Sequence, residues 1–321
     1  MAYRRSYRTR STRRYPRKSR GRGYGGGRSR FRPRRSYGRT QSWKKRSVRK
    51  PRRVLQKQIL EVASTKKRDH MASWPSTANE PALEEIELGQ VTAAYLWCPT
   101  ARYRASAPGN YDSARTADTV YYKGIKEQFT LRTSSSEPFR WRRIIFEMSS
   151  PPSSEFISVY KYVAGTNEVP KGGIEGDPAL GYEGVVTYAR PLKQLTVAEM
   201  DSLEAMLYRG SKNIDWWDRW IAQTDPSQVK VRYDKTRIFR NTNDAGDIRQ
   251  VKQWIPLEET MQYDEGEIGS ADTSGMFSNS KRHTLGNIFI ADFFHGNTAD
   301  PDSAAEKLYI NCESTIYWHE R

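Results

Sequence analysis

Residues 306–320 read EKLYINCESTIYWHE, and the order of polar and apolar groups in this stretch decides the fold class. Leu308, Ile310, Cys312, Ile316 and Trp318 fall on one side of an extended chain, while Lys307, Asn311, Glu313 and Thr315 fall on the other. Side chains alternate across a strand with a period of two, so the pattern is that of a half-buried antiparallel strand. VKVRYD at 229–234 repeats it, with Val229, Val231 and Tyr233 alternating with Lys230, Arg232 and Asp234.

Working outward, seven more segments rich in Val, Ile, Tyr, Phe and Trp are expected strands: 54–62, 87–97, 119–132, 139–148, 182–189, 248–256 and 286–294. Clusters such as SSPPSS and VPKGGIEGDP separate them. Nine strand-like segments with long connections predict a sandwich or a barrel. One stretch differs. In LTVAEMDSLEAMLYRG (195–210), Thr196 and Glu199 have capping-box spacing, Val197, Met200, Leu203 and Leu207 recur at helical intervals, and Gly210 stands where a helix would stop. A single helix of about three turns is therefore expected inside one inter-strand connection, its Met and Leu stripe serving as packing.

Charge divides the chain. It holds 54 Lys and Arg against 37 Asp and Glu, a net of +17, yet residues 1–60 contain 24 of the cations and no acid, the first carboxylate being Glu61. The remainder carries 30 basic and 37 acidic side chains, a net of −7. The arm, taken as residues 1–53, sets Tyr3, Tyr7, Tyr15, Tyr24, Phe31, Tyr37 and Trp43 singly among Arg, Ser and Gly. So little apolar surface cannot offset the entropy of ordering the segment, and like-charge repulsion extends it, so it is expected to stay disordered until it meets a polyanion. Residues 54–321 are long enough for one domain with a real core.

The arm has the chemistry of a single-strand binder. Arg4, Arg5, Arg8, Arg10, Arg13, Arg14, Arg17, Lys18, Arg20, Arg22, Arg28, Arg30, Arg32, Arg34, Arg35 and Arg39 would neutralise phosphates and release counterions. The seven aromatic rings would stack on unpaired bases, at roughly 1–3 kcal/mol each when well placed. Its end, WKKRSVRKPRR, packs Lys44, Lys45, Arg46, Arg49, Lys50, Arg52 and Arg53 into a dense cluster that fits a nuclear import signal and also supplies phosphate-binding charge. No run of 7–15 apolar residues in the arm fits a secretory core, and no stretch of about 18 apolar residues would span a membrane, so the chain is expected to be soluble and intracellular when it acts.

Enzyme signatures are missing. The sequence has no GxxxxGK[ST], HExxH, CxxC or HxH, and GYGGGRSR lies within the arm without a strand before it or a helix after it. His70, His283, His295 and His319 are dispersed, and Cys98 and Cys312 stand more than 200 positions apart, as small hydrophobes rather than a disulfide or a redox pair. Asp264, Glu265 and Glu267 in YDEGEIG gather near Gly266 but lack the ligand spacing of a calcium loop, and are expected to form an acidic turn between strands. DWWDRW offers Trp216, Trp217 and Trp220, but Asp215 and Asp218 would repel phosphate, so core or subunit-interface packing is the better reading. No catalytic residue, metal or cofactor is expected.

Several phrases occur in one family's order: STKKRDHM (64–71), YYKGIKEQFTLRTSSSEPFRWRRIIFE (121–147), YRGSKNIDWWDRWIAQTDPSQVKVRYDKTRIFRNTNDAG (208–246), WIPLEETMQYDEGEIG (254–269) and ESTIYWHER (313–321). Together with the Arg/Tyr/Ser arm, they resemble the capsid proteins of genomoviruses and, more distantly, the geminivirus coat protein. WIPLEETMQYDEGE departs from the family, in which a more basic or amide-rich phrase precedes the Tyr-Asp. The resemblance implies a single viral jelly-roll, an eight-stranded β-sandwich, with many copies closing an icosahedral shell around circular single-stranded DNA in the simplest, sixty-subunit (T=1) arrangement. It also implies location in the virion and the host nucleus, with a nuclear import receptor as partner. Sixty arms would bring on the order of 1,400 positive charges inside, enough to match a single-stranded circle of about one to two kilobases, with counterions covering the rest. The net −7 of the body then suggests a wall that binds DNA poorly except through its arm. The alternatives are a cellular RNA-binding protein with an RGG- or RS-like tail, against which no RNP-like segment is found, and a viral replication enzyme, against which the missing HxH and phosphate loop stand.

Overall fold

Eight principal strands carry the fold: β1 (Thr65–Trp74), β2 (Ala93–Trp97), β3 (Thr119–Thr133), β4 (Phe139–Met148), β5 (Lys230–Phe239), β6 (Asp247–Gln262), β7 (Asn287–His295) and β8 (Leu308–Glu320). They are seen in a computed structural model that describes residues 62–74, 76–77, 80–81, 85–89, 91–102, 104, 112–149, 190–192, 194–242, 244–269, 271–273, 275–279, 284–296 and 307–320. The chain divides into Met1–Lys50 and Pro51–Arg321, and every described residue belongs to the second unit.

The pairing is nested and antiparallel: β1 with β8, β2 with β7, β3 with β6, and β4 with β5. The β8–β3 and β7–β4 pairings then join these hairpin-like pairs into two sheets, with orders β6-β3-β8-β1 and β2-β7-β4-β5. That winding is a jelly roll, a double-sheet solution to the exposed-edge problem. Ile86–Leu88 pairs with β8 and Arg190–Pro191 with the end of β1, making the first sheet six-stranded.

The expected strands map onto this order with informative exceptions. The segment 87–97 is two strands in different sheets, Ile86–Leu88 and β2. The first principal strand is the charged stretch TKKRDHMASW, where alternation predicts no strand, because inward-facing Lys67 and Asp69 break the pattern. Both are neutralised inside, Lys67 by Glu320 at 3.0 Å and Asp69 by Arg102 at 2.5 Å. Segments 54–61 and 182–189 lie outside the described residues. The expected helix is present as α1 (Val197–Leu207), with both halves of the Thr196–Glu199 capping box formed. It stops at Leu207 rather than at Gly210: Tyr208 is already extended, and Gly210, at φ +82°, turns the chain two residues later.

Charge crosses the middle of the core. Moving along four strands, the inward positions run Ile125, Glu127, Phe129 on β3; Ile145, Arg143, Trp141 on β4; Ile290, Asp292, Phe294 on β7; and Ile316, Ser314, Cys312 on β8. The first member of each series belongs to one apolar cluster and the last to a second, so a polar stratum separates the two. Arg143 bridges the sheets, at 2.6 Å from Glu127 and 2.8 Å from Asp292. Arg190, brought in beside β1, closes a ring with Glu127 at 3.0 Å and Asp292 at 2.8 Å. Ser314 Oγ donates to Glu127 at 3.1 Å, Trp141 Nε1 donates to Asp292 at 2.7 Å, and Arg143 donates to Gln253 at 3.1 Å. Two guanidiniums and two carboxylates, all essentially without solvent contact, thus cancel in charge.

Burial would raise the pKa of Asp292, but Arg143 and Arg190 outweigh it and hold the carboxyl below its ordinary value. Removing one partner leaves a buried charge uncompensated. Asp292→Asn is therefore expected to lower the subunit's unfolding free energy by about 3–5 kcal/mol in urea titrations. Glu147, despite burial, is also held low by the Gly286 N–H, Lys230 and Arg232, and Glu320 by Thr116, Trp318 and Lys67. Carboxyls with depressed folded pKa values contribute stability that is complete above the unfolded pKa of about 4 and is lost below it. Burial, with Arg140 and Arg219, depresses His295, whose share begins to fall below about pH 6.5. The melting temperature should decline gently from pH 6.5 and steeply below pH 4 in a calorimetric pH series.

Candidate nucleic-acid interface

The residues expected to hold DNA, from Tyr3 and Arg4 to Trp43, and the import cluster Lys44–Arg53 lie outside the described residues. Structure is described from Val62 onward, and β1 follows at once. Within STKKRDHM the alternation turns Lys67, Asp69 and Met71 inward and leaves Lys66, Arg68 and His70 on the exposed side of the six-stranded sheet.

Register places those three at the head of rows that cross the sheet. Lys66 lies opposite His319, which faces Tyr121 and then Thr260. Arg68 lies opposite Tyr317, which faces Gly124 and then Pro256. His70 lies opposite Thr315, which faces Lys126 and then Trp254. Lys252 is one step further along the same face of β6. Lys66, Arg68, Lys126 and Lys252 make no ion pair among the described residues, whereas the neighbouring Lys123 lies 3.9 Å from Glu258, and His70 lies 4.0 Å from Glu313.

Rings lie among these cations. Trp254 is 49% exposed, and its centroid is 5.8 Å from that of Tyr317. The two residues are on strands separated by β3, so the indole must cross β3 to reach the phenol. It can do so because the intervening residue is Gly124: a Cβ there would stand 2.5 Å from the Trp254 ring and 2.6 Å from the Ile255 carbonyl. β3 also carries an extra residue relative to β8 at this point, and its inward positions switch parity from Val120 and Tyr122 to Ile125 and Glu127. Tyr121 and His319 pack alongside at 6.0 Å, with the Lys123 ammonium 6.0 Å from the Tyr121 ring.

The second sheet is covered on its outer side. β7 is buried at every position from Asn287 to Phe294. Arg142, next to Arg143 and so on the opposite side of β4, donates to the carbonyls of Ala222, at 2.9 Å, and Arg219, and pairs with Asp234 at 2.7 Å. The connection carrying α1 therefore lies over that side.

The other sequence candidates resolve individually. Glu265 of the acidic turn lies 2.5 Å from Arg115 and 3.4 Å from Arg104, which commits its carboxylate to ion pairs. Among the described residues no group of three or more His, Cys, Asp and Glu could hold a metal ion. Trp216 and Trp220 are half-buried against the core, Trp216 meeting Tyr208 edge-on at 4.9 Å, while Trp217 points outward with 82% of its surface exposed. His70 bonds Thr315 at 2.8 Å, and His295 bonds Thr92 at 3.0 Å, far apart in the fold. His283 lies outside the described residues. No described helix is long and apolar enough to cross a membrane.

No protein-family model matches the chain, and neither does any curated protein sequence. Solved structures that align with it include polyomavirus VP1 proteins. VP1 of the Trichodysplasia spinulosa-associated polyomavirus is 10% identical over 80% of this chain and 79% of that one, with a TM-score of 0.11. VP1 of New Jersey polyomavirus is 11% identical over 80% and 81%, with a TM-score of 0.10. Superpositions of that quality add nothing to the strand order, which defines the jelly roll by itself.

Both cysteines are buried free thiols, and burial pushes each up to about 12. At pH 8 neither Cys98 nor Cys312 should react with an aromatic disulfide reagent on the minute timescale in the folded protein, and both should react in denaturant.

Proposed function

We propose that this chain is a viral capsid protein whose jelly-roll domain forms the wall of a closed shell and whose arm, residues 1–53, packages single-stranded DNA. The observation that carries the proposal is the combination, in one chain, of a jelly-roll strand order with a 60-residue segment holding 24 cations and no acid. Jelly rolls also serve as lectin and cupin domains, but neither of those uses requires a segregated polycationic arm. The role is structural rather than enzymatic. The arm's arginines neutralise phosphate, its aromatic residues stack on bases without sequence preference, and the Lys44–Arg53 cluster serves nuclear import as well. The order of phrases resembling genomovirus capsid proteins supports a T=1 shell around a circular genome.

Full-length protein produced with single-stranded DNA should sediment as a large particle that protects the DNA from nuclease. Deleting residues 1–53 should leave the DNA digestible and reduce the salt slope of binding by about 0.7 for each phosphate that the arm had neutralised. An unchanged slope and intact protection would remove the arm from the packaging role. A fluorescent reporter fused to residues 40–55 should accumulate in nuclei, and a cytoplasmic reporter would confine that cluster to phosphate binding.

A further inference from the structure

We infer that the exposed face of the six-stranded sheet is a second binding surface for single-stranded nucleic acid, with unpaired bases stacking on the Trp254–Tyr317 ledge and phosphates held by the cations around it. The inference rests on the packaging reading above and extends it to the folded wall. A segment such as residues 61–321, with a net charge of −7, would be expected to repel DNA, but net charge does not say where the charges lie.

Three observations favour this occupant. First, Lys66, Arg68, Lys126 and Lys252 lie on one face, without ion pairs among the described residues, while the exposed carboxylates beside them face other cations or a histidine, Glu258 at 3.9 Å from Lys123 and Glu313 at 4.0 Å from His70. Solvated, unpaired cations of this kind release counterions when they meet phosphate. Second, the ring of Trp254 is exposed yet held in place, laid over Gly124 against Tyr317, and a pre-positioned aromatic plane suits base stacking. Third, among the described residues this is the uncovered sheet of the pair, because α1 and its flanking connection lie over the other one. A contact with a second copy of the chain would also cover Trp254, but the centres of protein interfaces are depleted in Lys, and here Lys126 lies directly opposite Trp254.

The test uses the full-length chain with an oligothymidylate carrying photoactivatable thymine analogues, followed by mass-spectrometric mapping of the crosslinks. Crosslinks are expected at Trp254 and Tyr317 in addition to the arm. Trp254→Ala should abolish the crosslinks to β6 and weaken binding about fivefold or more, with an unchanged circular dichroism spectrum. The Lys126→Ala/Lys252→Ala variant should lower the salt slope by about 1.4. Crosslinks confined to residues 1–53, with a slope unchanged in the double variant, would overturn the inference and leave the arm's role standing. Failure of the full-length chain to bind the oligonucleotide at all would overturn the packaging reading itself. Burial of Trp254 by a neighbouring copy in DNA-free particles, seen as a blue-shifted emission that disappears in Trp254→Phe, would assign the face to subunit contact and refute the inference.

Discussion

Two arginines and two carboxylates sealed between the sheets impose the constraint on which the rest of the sandwich depends. Arg143, Arg190, Glu127 and Asp292 come from four separate segments, and each guanidinium reaches both carboxylates. Hydrophobic packing alone tolerates a shift of strand register if the parity is kept, because one aliphatic side chain can replace another. A buried ion cannot shift in that way, since moving β3, β4 or β7 by two residues would bring Ile, Phe or Trp opposite a naked charge. The stratum also draws Arg190 in from a distant connection, and with it the start of the α1 segment that covers the second sheet. Register is specified here by charge, and stability by the two apolar clusters on either side.

Among the described residues one sheet is covered and the other is bare, and this asymmetry gives the domain two different faces. The α1 side presents apolar Ile214, Trp217 and Ile221, while the six-stranded sheet presents lysines, an arginine and a pair of aromatic rings. The parity switch at Gly124 matters for the second face. It keeps Val120 and Tyr122 in the core despite the extra residue in β3, and it leaves a side-chain-free gap across which Trp254 meets Tyr317. One backbone irregularity therefore serves both core packing and the exposed surface.

Much of the fold is legible in the sequence where one parity is uniformly apolar. β8, with its Leu308-to-Trp318 series, and α1, with its Thr196–Glu199 box, fall within three residues of their expected limits. β1 is hidden because Lys67 and Asp69 occupy inward positions and find their partners, Glu320 and Arg102, across long stretches of sequence. FRWRRIIFEM reads as a strand, but the burial of both Arg142 and Arg143, on opposite faces, does not follow from alternation. The exposed aromatic ledge does have a signal in the sequence: Trp254 shares the parity of Ile248, Gln250 and Lys252, the solvent side of β6. A tryptophan on the polar parity of a strand is unusual enough to mark a surface. The chemistry expected of the arm, by contrast, is read from composition alone, because a charge run without acids needs no fold to meet phosphate.

Whether the domain closes shells around DNA is read most directly from a cryo-electron microscopy reconstruction of particles formed by the full-length chain with single-stranded DNA. Uniform closed shells are expected, in which the six-stranded sheet faces the lumen, with nucleic-acid density against Trp254 and Tyr317 and the α1 side turned outward. Protein that remains monomeric or dimeric, or shells with the Trp254 face on the exterior, would contradict that expectation.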